Sequence, residues 1–490
     1  MKRILVLLGM ALCITQGHAQ NHNKSRLQRF FDNFRKELHD DFNDFRRQCM
    51  MDYIEFSRNA WQEFEGMRPI PKPKEEEVPP VPMPEEEKKK PIEDKPIVIE
   101  EVVKPAPVEP QPQPVEPIKE VPVEKIHYVD FTFFGTPGRV RFDLKNKVVL
   151  KGIKEDNIAS ALKVMSDNSY DNMILDCLAL RDSLHLCDWA YLQMLKALSD
   201  EIAGTGTNDA ALLMAYLYMQ SGYKMRMASD GTRLYMLYAS KYYIYDQSPY
   251  LIDGTLYFGV EPLPGKLSIC QASFPKEKEI SLAVDKEQMF AQAPSKAIQR
   301  TSTTYPDVSC SIEVNENLIA FYNTYPTSMY GDDFMTRWTM YANTPLSEHV
   351  KEQMYPMLKE RIRGKSARDA VAVLLDFSQM AFPYGLDNEV WGHDRAFFAE
   401  ETLFYPHSDC EDHAIFFSRL VRDLVGLNVV IVYYPSHLAT AVHFPETVQG
   451  DYLELEGKRY VVCDPTYFGA PIGRTMRGMD NKQAKVILLK

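Results

Sequence analysis

Apolar and polar positions recur with two different periods along this chain, and the period changes mark its parts. Leu27, Phe31, Phe34, Leu38, Phe42, Phe45, Cys49, Tyr53, Phe56, Ala60 and Phe64 follow a 4-3-4 spacing that returns every eleven residues. An eleven-residue period, about 3.67 residues per turn, keeps such a stripe on one face of a nearly straight helix. One amphipathic helix is therefore predicted over 20–67, with a face that must pack on something: a second copy, another protein or the body of this chain. Its polar face mixes acids and bases, which argues against docking on an anionic membrane.

A second helical pattern lies near the C-terminus, where Ala414, Phe417, Leu420, Val421 and Leu424 repeat until Gly426 stops them, behind Ser408 and Asp409 as capping residues. The helix is expected to begin at Cys410. Beyond it the period becomes that of strands: Val429 to Tyr434 and Leu438 to Phe444, turned by Pro435-Ser436, then Tyr460 to Cys463. Val486 to Leu489 is expected to close the sheet. Alternation at Ser309 to Val314 and the aromatic run Phe321 to Tyr325 predict β-structure over 271–345.

Two stretches break these patterns. Met1 to Ala19 has a basic start, an apolar run from Ile4 to Ile14 and a Gly17-His18-Ala19 end, the layout of a signal peptide, so an exported protein of the periplasm or cell surface is expected. Cys13 sits where a lipoprotein cysteine would, but Met10-Ala11-Leu12 is a poor match to that signal. No later run is long and apolar enough to span a membrane. Residues 68–125 hold half of the 32 prolines among Glu, Lys and Val, which predicts a disordered spacer able to reach roughly 150 Å. A net charge of -12 argues against a nucleic-acid partner.

The candidate chemistry sits on the C-terminal pattern. Cys410, His437 and Asp464 follow one another at equal spacings of 27 residues, one at a helix start, one at a strand start and one at a strand end. That order can supply a nucleophile, a base and the carboxylate that orients it. The helix dipole is expected to favour a thiolate at Cys410. His443, six residues along the same strand, is the rival base, and His437 is preferred because it begins the strand. Of the seven cysteines left after signal removal, Cys410 is expected to stay free. Cys49, Cys177, Cys187, Cys270, Cys310 and Cys463 are read as paired or buried, without zinc-site spacing.

The segments Asp409-Cys410-Glu411-Asp412, Ser436-His437-Leu438-Ala439-Thr440-Ala441-Val442 and Asp464-Pro465-Thr466-Tyr467 resemble the transglutaminase-like superfamily. Ala370 to Phe377, Pro383-Tyr384 and Glu400-Glu401-Thr402-Leu403 resemble the approach to the nucleophile in bacterial members. The resemblance covers 346–490 and departs at Leu438, where many members carry an aromatic residue. It implies an α+β, papain-like core with Cys410 on a helix packed against an antiparallel sheet. The implied activity is thiol chemistry on amide bonds.

Shifting the chain by 204 residues lays Ala210 on Ala414, Gly222 on Gly426, Thr232 on Ser436 and Arg233 on His437; a shift of 203 lays Tyr257 on Tyr460 and Glu261 on Asp464. Gly206 then falls at the nucleophile. Residues 126–270 are accordingly read as a degenerate copy of the domain at 346–490, joined to it by 271–345. The sequence thus points to an exported thiol enzyme whose substrate is a protein, peptide or peptidoglycan amide, with hydrolysis favoured over crosslinking. It calls for no cofactor and no metal. The alternative is a catalytically silent binding or envelope-assembly protein that uses 21–67 to dock or self-associate.

Overall fold

A computed structural model of the protein describes residues 45–73, 79, 82–167 and 169–490. The signal-peptide segment and the first half of the eleven-residue repeat lie outside the described residues. The fold is α+β with mainly antiparallel sheets.

The first lobe opens with strand β1 (Trp61–Glu65). Strands β2 (Lys95–Pro96) and β3 (Ile99–Val103) then leave for the second lobe, and the hairpin β4 (Tyr128–Phe133) and β5 (Thr136–Arg141) returns. Helices α1 (Glu155–Met165), α2 (Asp171–Ser183), α3 (Asp188–Ala203) and α4 (Asn208–Gln220) follow. The lobe ends in β6 (Met225–Ser229), β7 (Leu234–Ser240), β8 (Tyr242–Ile244), β9 (Tyr250–Ile252), β10 (Thr255–Gly259) and β11 (Lys266–Cys270). Its main sheet has the order β1-β11-β6-β7-β10-β9.

Residues 271–345 depart from the β-structure expected of them. They carry one hairpin, β12 (Ile298–Thr301) with β13 (Ser309–Ile312), and the short strand β14 (Ser328–Tyr330). The aromatic run instead completes helix α5 (Glu316–Tyr322), and α6 (Arg337–Asn343) follows. Asn315 decides the outcome: its side chain accepts from the Asn317 N–H at 3.1 Å and starts a helix whose Leu318, Phe321 and Tyr322 are buried together.

The second lobe packs α7 (Glu348–Ile362), α8 (Ala367–Met380), α9 (Ala399–Phe404) and α10 (Cys410–Leu424) against β15 (Val429–Tyr434), β16 (His437–His443), β17 (Asp451–Leu455), β18 (Lys458–Cys463) and β19 (Ala484–Leu488). The sheet order is β2-β17-β18-β16-β15-β19-β3. Strand β19 joins the sheet where its apolar run predicts a strand, but it does not close it, because β3 lies beyond it at the edge. Alternation sends Val429 and Ile431 into the large core beneath α10, and Val430, Val432 and Tyr434 into a separate apolar layer on the other face.

The two sheets repeat each other pair by pair. Met225 opposes Tyr238 in one lobe, and Val429 opposes Val442 in the other, each residue displaced by 204. Tyr238 with Phe258 corresponds to Val442 with Val461 once the second partner is displaced by 203. Leu251 with Leu256 likewise corresponds to Glu454 with Arg459. A slip of one residue would exchange the two faces of a strand. The sequence displacement thus carries the same side chains to the same faces.

Residues 82–125 are not a free spacer. They form a strap laid along both lobes: β2 and β3 pair in parallel with β17 and β19 and cover both edges of the second sheet. Beyond β3, Arg181 donates to the Pro112 carbonyl at 2.9 Å, and Asn172 holds both backbone groups of Val121 at 2.8 Å. Composition misled because prolines lack an N–H but still fit an edge strand, which needs donors on one side only. Of the apolar residues between them, Ile97, Val103, Val115 and Ile118 are buried.

The described part of the first helix, residues 45–57, packs on the first lobe through Cys49, Met50, Tyr53 and Ile54, with Arg46 on Asp171 at 2.5 Å. The expected run to residue 67 is not one helix. Trp61–Glu65 leaves to pair with β11, while the Trp61 indole N–H donates back to the Ser57 carbonyl at 2.8 Å. The eleven-residue stripe is the buried face only in part: Cys49, Tyr53 and Ala60 are buried, whereas Phe45 and Phe56 are exposed. All seven described cysteines are buried and free. No helix among the described residues is long and apolar enough to cross a membrane.

Candidate functional site

Cys410 is the first residue of α10, as the capping pattern predicts. Asp412 accepts from the Asp409 N–H at 3.2 Å, closing the first turn, and its other oxygen holds the Phe397 N–H at 2.8 Å. Upstream, Ser408 and Pro383–Gly385 exchange backbone hydrogen bonds, which fixes the approach to the helix. At the far end Gly426, with φ of 72°, terminates it.

His437 begins β16 after a two-residue turn in which Pro435 is followed by Ser436 at φ 68°. This is the residue pattern of a type II turn. Asp464 leaves the end of β18. The His437 Nε2 and the Asp464 Oδ2 are 2.9 Å apart, and both side chains are 1% exposed. The second Asp464 oxygen accepts from the Thr466 and Tyr467 N–H groups at 3.0 and 3.1 Å, so the carboxylate cannot swing away. The imidazole Nδ1 is buried and has no hydrogen-bond partner. With Nε2 donating to Asp464, a neutral ring keeps its lone pair on Nδ1.

The Leu438 N–H, next to His437, points at the Cys410 sulfur and favours its ionised form. Helix α10, which Cys410 begins, packs against β16, which His437 begins. His443 lies elsewhere. Its Nδ1 binds the Arg459 carbonyl at 2.9 Å and its ring rests on Tyr460.

The electrostatics differ from the expected thiolate. Burial, followed by Glu411 and Asp409, pushes the Cys410 thiol well above the ordinary range, and the helix dipole does not offset them. Glu411 Oε2 is 3.4 Å from the sulfur. Asp387, Asp409 and Glu411 bring carboxylate oxygens within 4.8 Å of one another, all buried. Burial and mutual repulsion push Asp409 and Asp412 far up. Glu411 is pushed up to about 7 by burial and Asp394, against the pull of Arg337. Shared protons can neutralise such a cluster, and its three carboxylates are also the oxygens that could hold a cation.

Sequence spacing also leaves out Gln379, which comes from α8. Its amide N–H groups donate to the carbonyls of Asp464, Tyr467 and Ala470 at 2.9, 3.1 and 3.2 Å, and its oxygen accepts from the Gly469 N–H. A lone buried Gln 85 residues before its partner leaves no pattern in the chain. The acidic setting of Cys410 did leave a signal, in the density of carboxylates from Asp409 to Asp412.

In the first lobe, Arg233 and Glu261 stand at the displaced positions of His437 and Asp464, and they too are bonded, with Nη2 to Oε2 at 3.1 Å. Gly206 precedes α4 where Cys410 begins α10, with open space where a side chain would project. No protein-family model, curated protein or solved structure matches this chain.

Proposed function

We propose that the protein is an exported thiol enzyme of the transglutaminase-like type, acting on peptide or cell-wall amides, with the second lobe as its papain-like core. The observation that carries this reading is the buried 2.9 Å His437–Asp464 pair with Nδ1 left free beside the strand residue whose N–H faces Cys410. Most buried side-chain nitrogens have a hydrogen-bond partner; His413, buried on α10, is a second histidine without one but has no carboxylate on its ring.

In this scheme the Cys410 sulfur attacks the substrate carbonyl as its proton passes to His437 Nδ1. Asp464 holds the imidazolium in place. The backbone N–H of Cys410 would supply one donor to the oxyanion. Collapse expels the amine, which takes the proton from His437 and leaves a thioester on Cys410. Water, deprotonated by His437, then attacks the thioester, and the carboxylic acid and free thiol are released. An amine in place of water would give crosslinking. The resting sulfur is a thiol in this acidic setting, so proton transfer accompanies attack.

The buried, acidic surroundings of Cys410 favour one competing reading, a silent scaffold that keeps the fold for binding. Iodoacetamide labelling separates the two. The enzyme reading expects Cys410 to be modified faster than the other six described cysteines, and more slowly in His437→Ala; equal, sluggish labelling of both proteins would overturn it. A comparison of wild type with Cys410→Ala on mixed peptide and peptidoglycan substrates then identifies the amide.

A further inference from the structure

The first lobe has lost the thiol but kept a cleft where the thiol would stand. A shallow cleft of about 40 Å³, open to solvent, lies at the N-terminus of α4, bordered by Gly206, Thr207, Lys196, Ser199, Arg233 and Glu261 over an apolar floor. We infer that this cleft is a non-catalytic binding site for a zwitterionic amino-acid or peptide end, with its carboxylate toward Arg233 and its amine toward Glu261.

Three observations converge on it. The Ser199 hydroxyl, 1% exposed, lines the cleft and has no hydrogen-bond partner, a cost that a ligand polar group would remove. The charged side chains come in opposite pairs: Arg233 with Glu261 at 3.1 Å, and Lys196 with Asp200 at 2.7 Å and with Glu261 at 3.7 Å. A ligand carrying one charge of each sign matches that set, whereas a simple anion or cation would leave half of it unanswered. Finally, the pairs are accessible. Arg233 and Glu261 are 47% and 39% exposed, while the corresponding His437 and Asp464 are each 1% exposed.

Ion pairs this exposed contribute little to stability, so a ligand can open Arg233–Glu261 and take both partners at low cost. The N–H groups at the start of α4 and its dipole favour the carboxylate end. Thr207 Oγ1 already caps Ala210 at 3.1 Å, which holds the helix start rigid beneath it. Leu234, Met236 and Leu263 give the ligand's aliphatic part an apolar seat.

The test titrates trialanine into the full-length chain by calorimetry, with Cys410→Ala as the background so that no turnover obscures binding. Saturable one-site binding is expected. N-acetyl-trialanine and trialanine amide, each lacking one charge, should bind about tenfold more weakly, as should free trialanine to Arg233→Gln and to Glu261→Gln. Both substitutions lie at exposed positions, so their thermal midpoints should stay within about 2 °C of the parent. Absence of binding at millimolar trialanine would overturn the inference. So would binding that survives Arg233→Gln unchanged, or blocked peptides that bind as well as the free one.

Discussion

Gln379 Nε2 lies 2.9 Å from the carbonyl oxygen of Asp464, and two further carbonyls of the same loop converge on that amide. The loop that presents the Asp464 carboxylate to His437 is therefore tied to α8 at one buried point. Replacing Gln379 by Leu leaves the Asp464 and Ala470 carbonyls and the Gly469 N–H without this partner, while the Tyr467 carbonyl keeps the Ala470 N–H, and each buried orphan costs about 1–3 kcal/mol. Gln379→Leu is expected to lower unfolding free energy by about 3 kcal/mol in urea titrations and to slow Cys410 alkylation. A variant as stable as wild type would remove Gln379 from the site's support.

Asp464→Asn tests the orienting role. An asparagine can still accept from the Thr466 and Tyr467 N–H groups, which hold the present side chain at 3.0 and 3.1 Å, so the fold should survive. Toward His437 it offers either a neutral oxygen, which stabilises the imidazolium far less, or an NH₂, which would turn the tautomer around and place the proton on Nδ1. On the proposed function, activity should fall by about 10²-fold or more with little change in thermal midpoint. Undiminished activity in that variant would exclude Asp464 from the chemistry.

These dependencies show which parts of the site the chain announces. Helix start, turn and strand ends are local, so capping at Asp409–Asp412, Pro435-Ser436 and the alternation of β15 and β16 place Cys410 and His437 within a residue of their predicted positions. The displacement of 204 residues reproduces strand register because register follows the same alternation. What spacing cannot convey is burial. The helix dipole argues for a thiolate, but desolvation and two flanking carboxylates outweigh a surface-calibrated dipole once the sulfur is enclosed. Gln379 and the strap are long-range matters. A proline-rich run reads as unstructured until a sheet edge is present to receive it.

Glu411 offers a direct handle on that thiol. Its oxygen is 3.4 Å from the sulfur, and it ionises at about 7. Glu411→Gln removes this charge, so the Cys410 thiol should ionise more readily and alkylate several-fold faster at pH 8. At pH 5.5 the wild-type carboxyl is already protonated and the two proteins should react alike. Identical rates at pH 8 would mean that Glu411 does not govern the nucleophile.

The same carboxyl shapes stability against pH. Glu411 rises from about 4.5 in the unfolded chain to about 7 in the native one, so the native state holds its proton over that window and the unfolded state does not. Its contribution is complete below about pH 4.5 and is lost as pH rises through 7; Asp409 and Asp412, shifted in the same direction, add to the trend. Wild type should therefore lose a few kcal/mol relative to Glu411→Gln between pH 5 and pH 8 in urea titrations. Parallel profiles for the two proteins would refute the raised ionisation.

The strap makes a prediction opposite to that of a disordered spacer. Ile97 is 5% exposed against the outer face of the second sheet, where its N–H donates to the Tyr452 carbonyl at 2.7 Å, and Val103 is 2% exposed at the other edge. Farther along, a Cβ added at Gly222 would stand 2.1 Å from the Gln113 carbonyl oxygen, so the strap is packed against backbone there. Native chain treated with a glutamate-specific endoproteinase should stay uncut after Glu100, Glu101 and Glu120. Ile97→Asp buries an unpaired charge at a cost of about 3 kcal/mol, lifts one edge strand and should admit cleavage after Glu100 and Glu101 first. Rapid cutting of the wild type at these glutamates, at the rate of an unfolded peptide, would return residues 82–125 to the role of a loose tether.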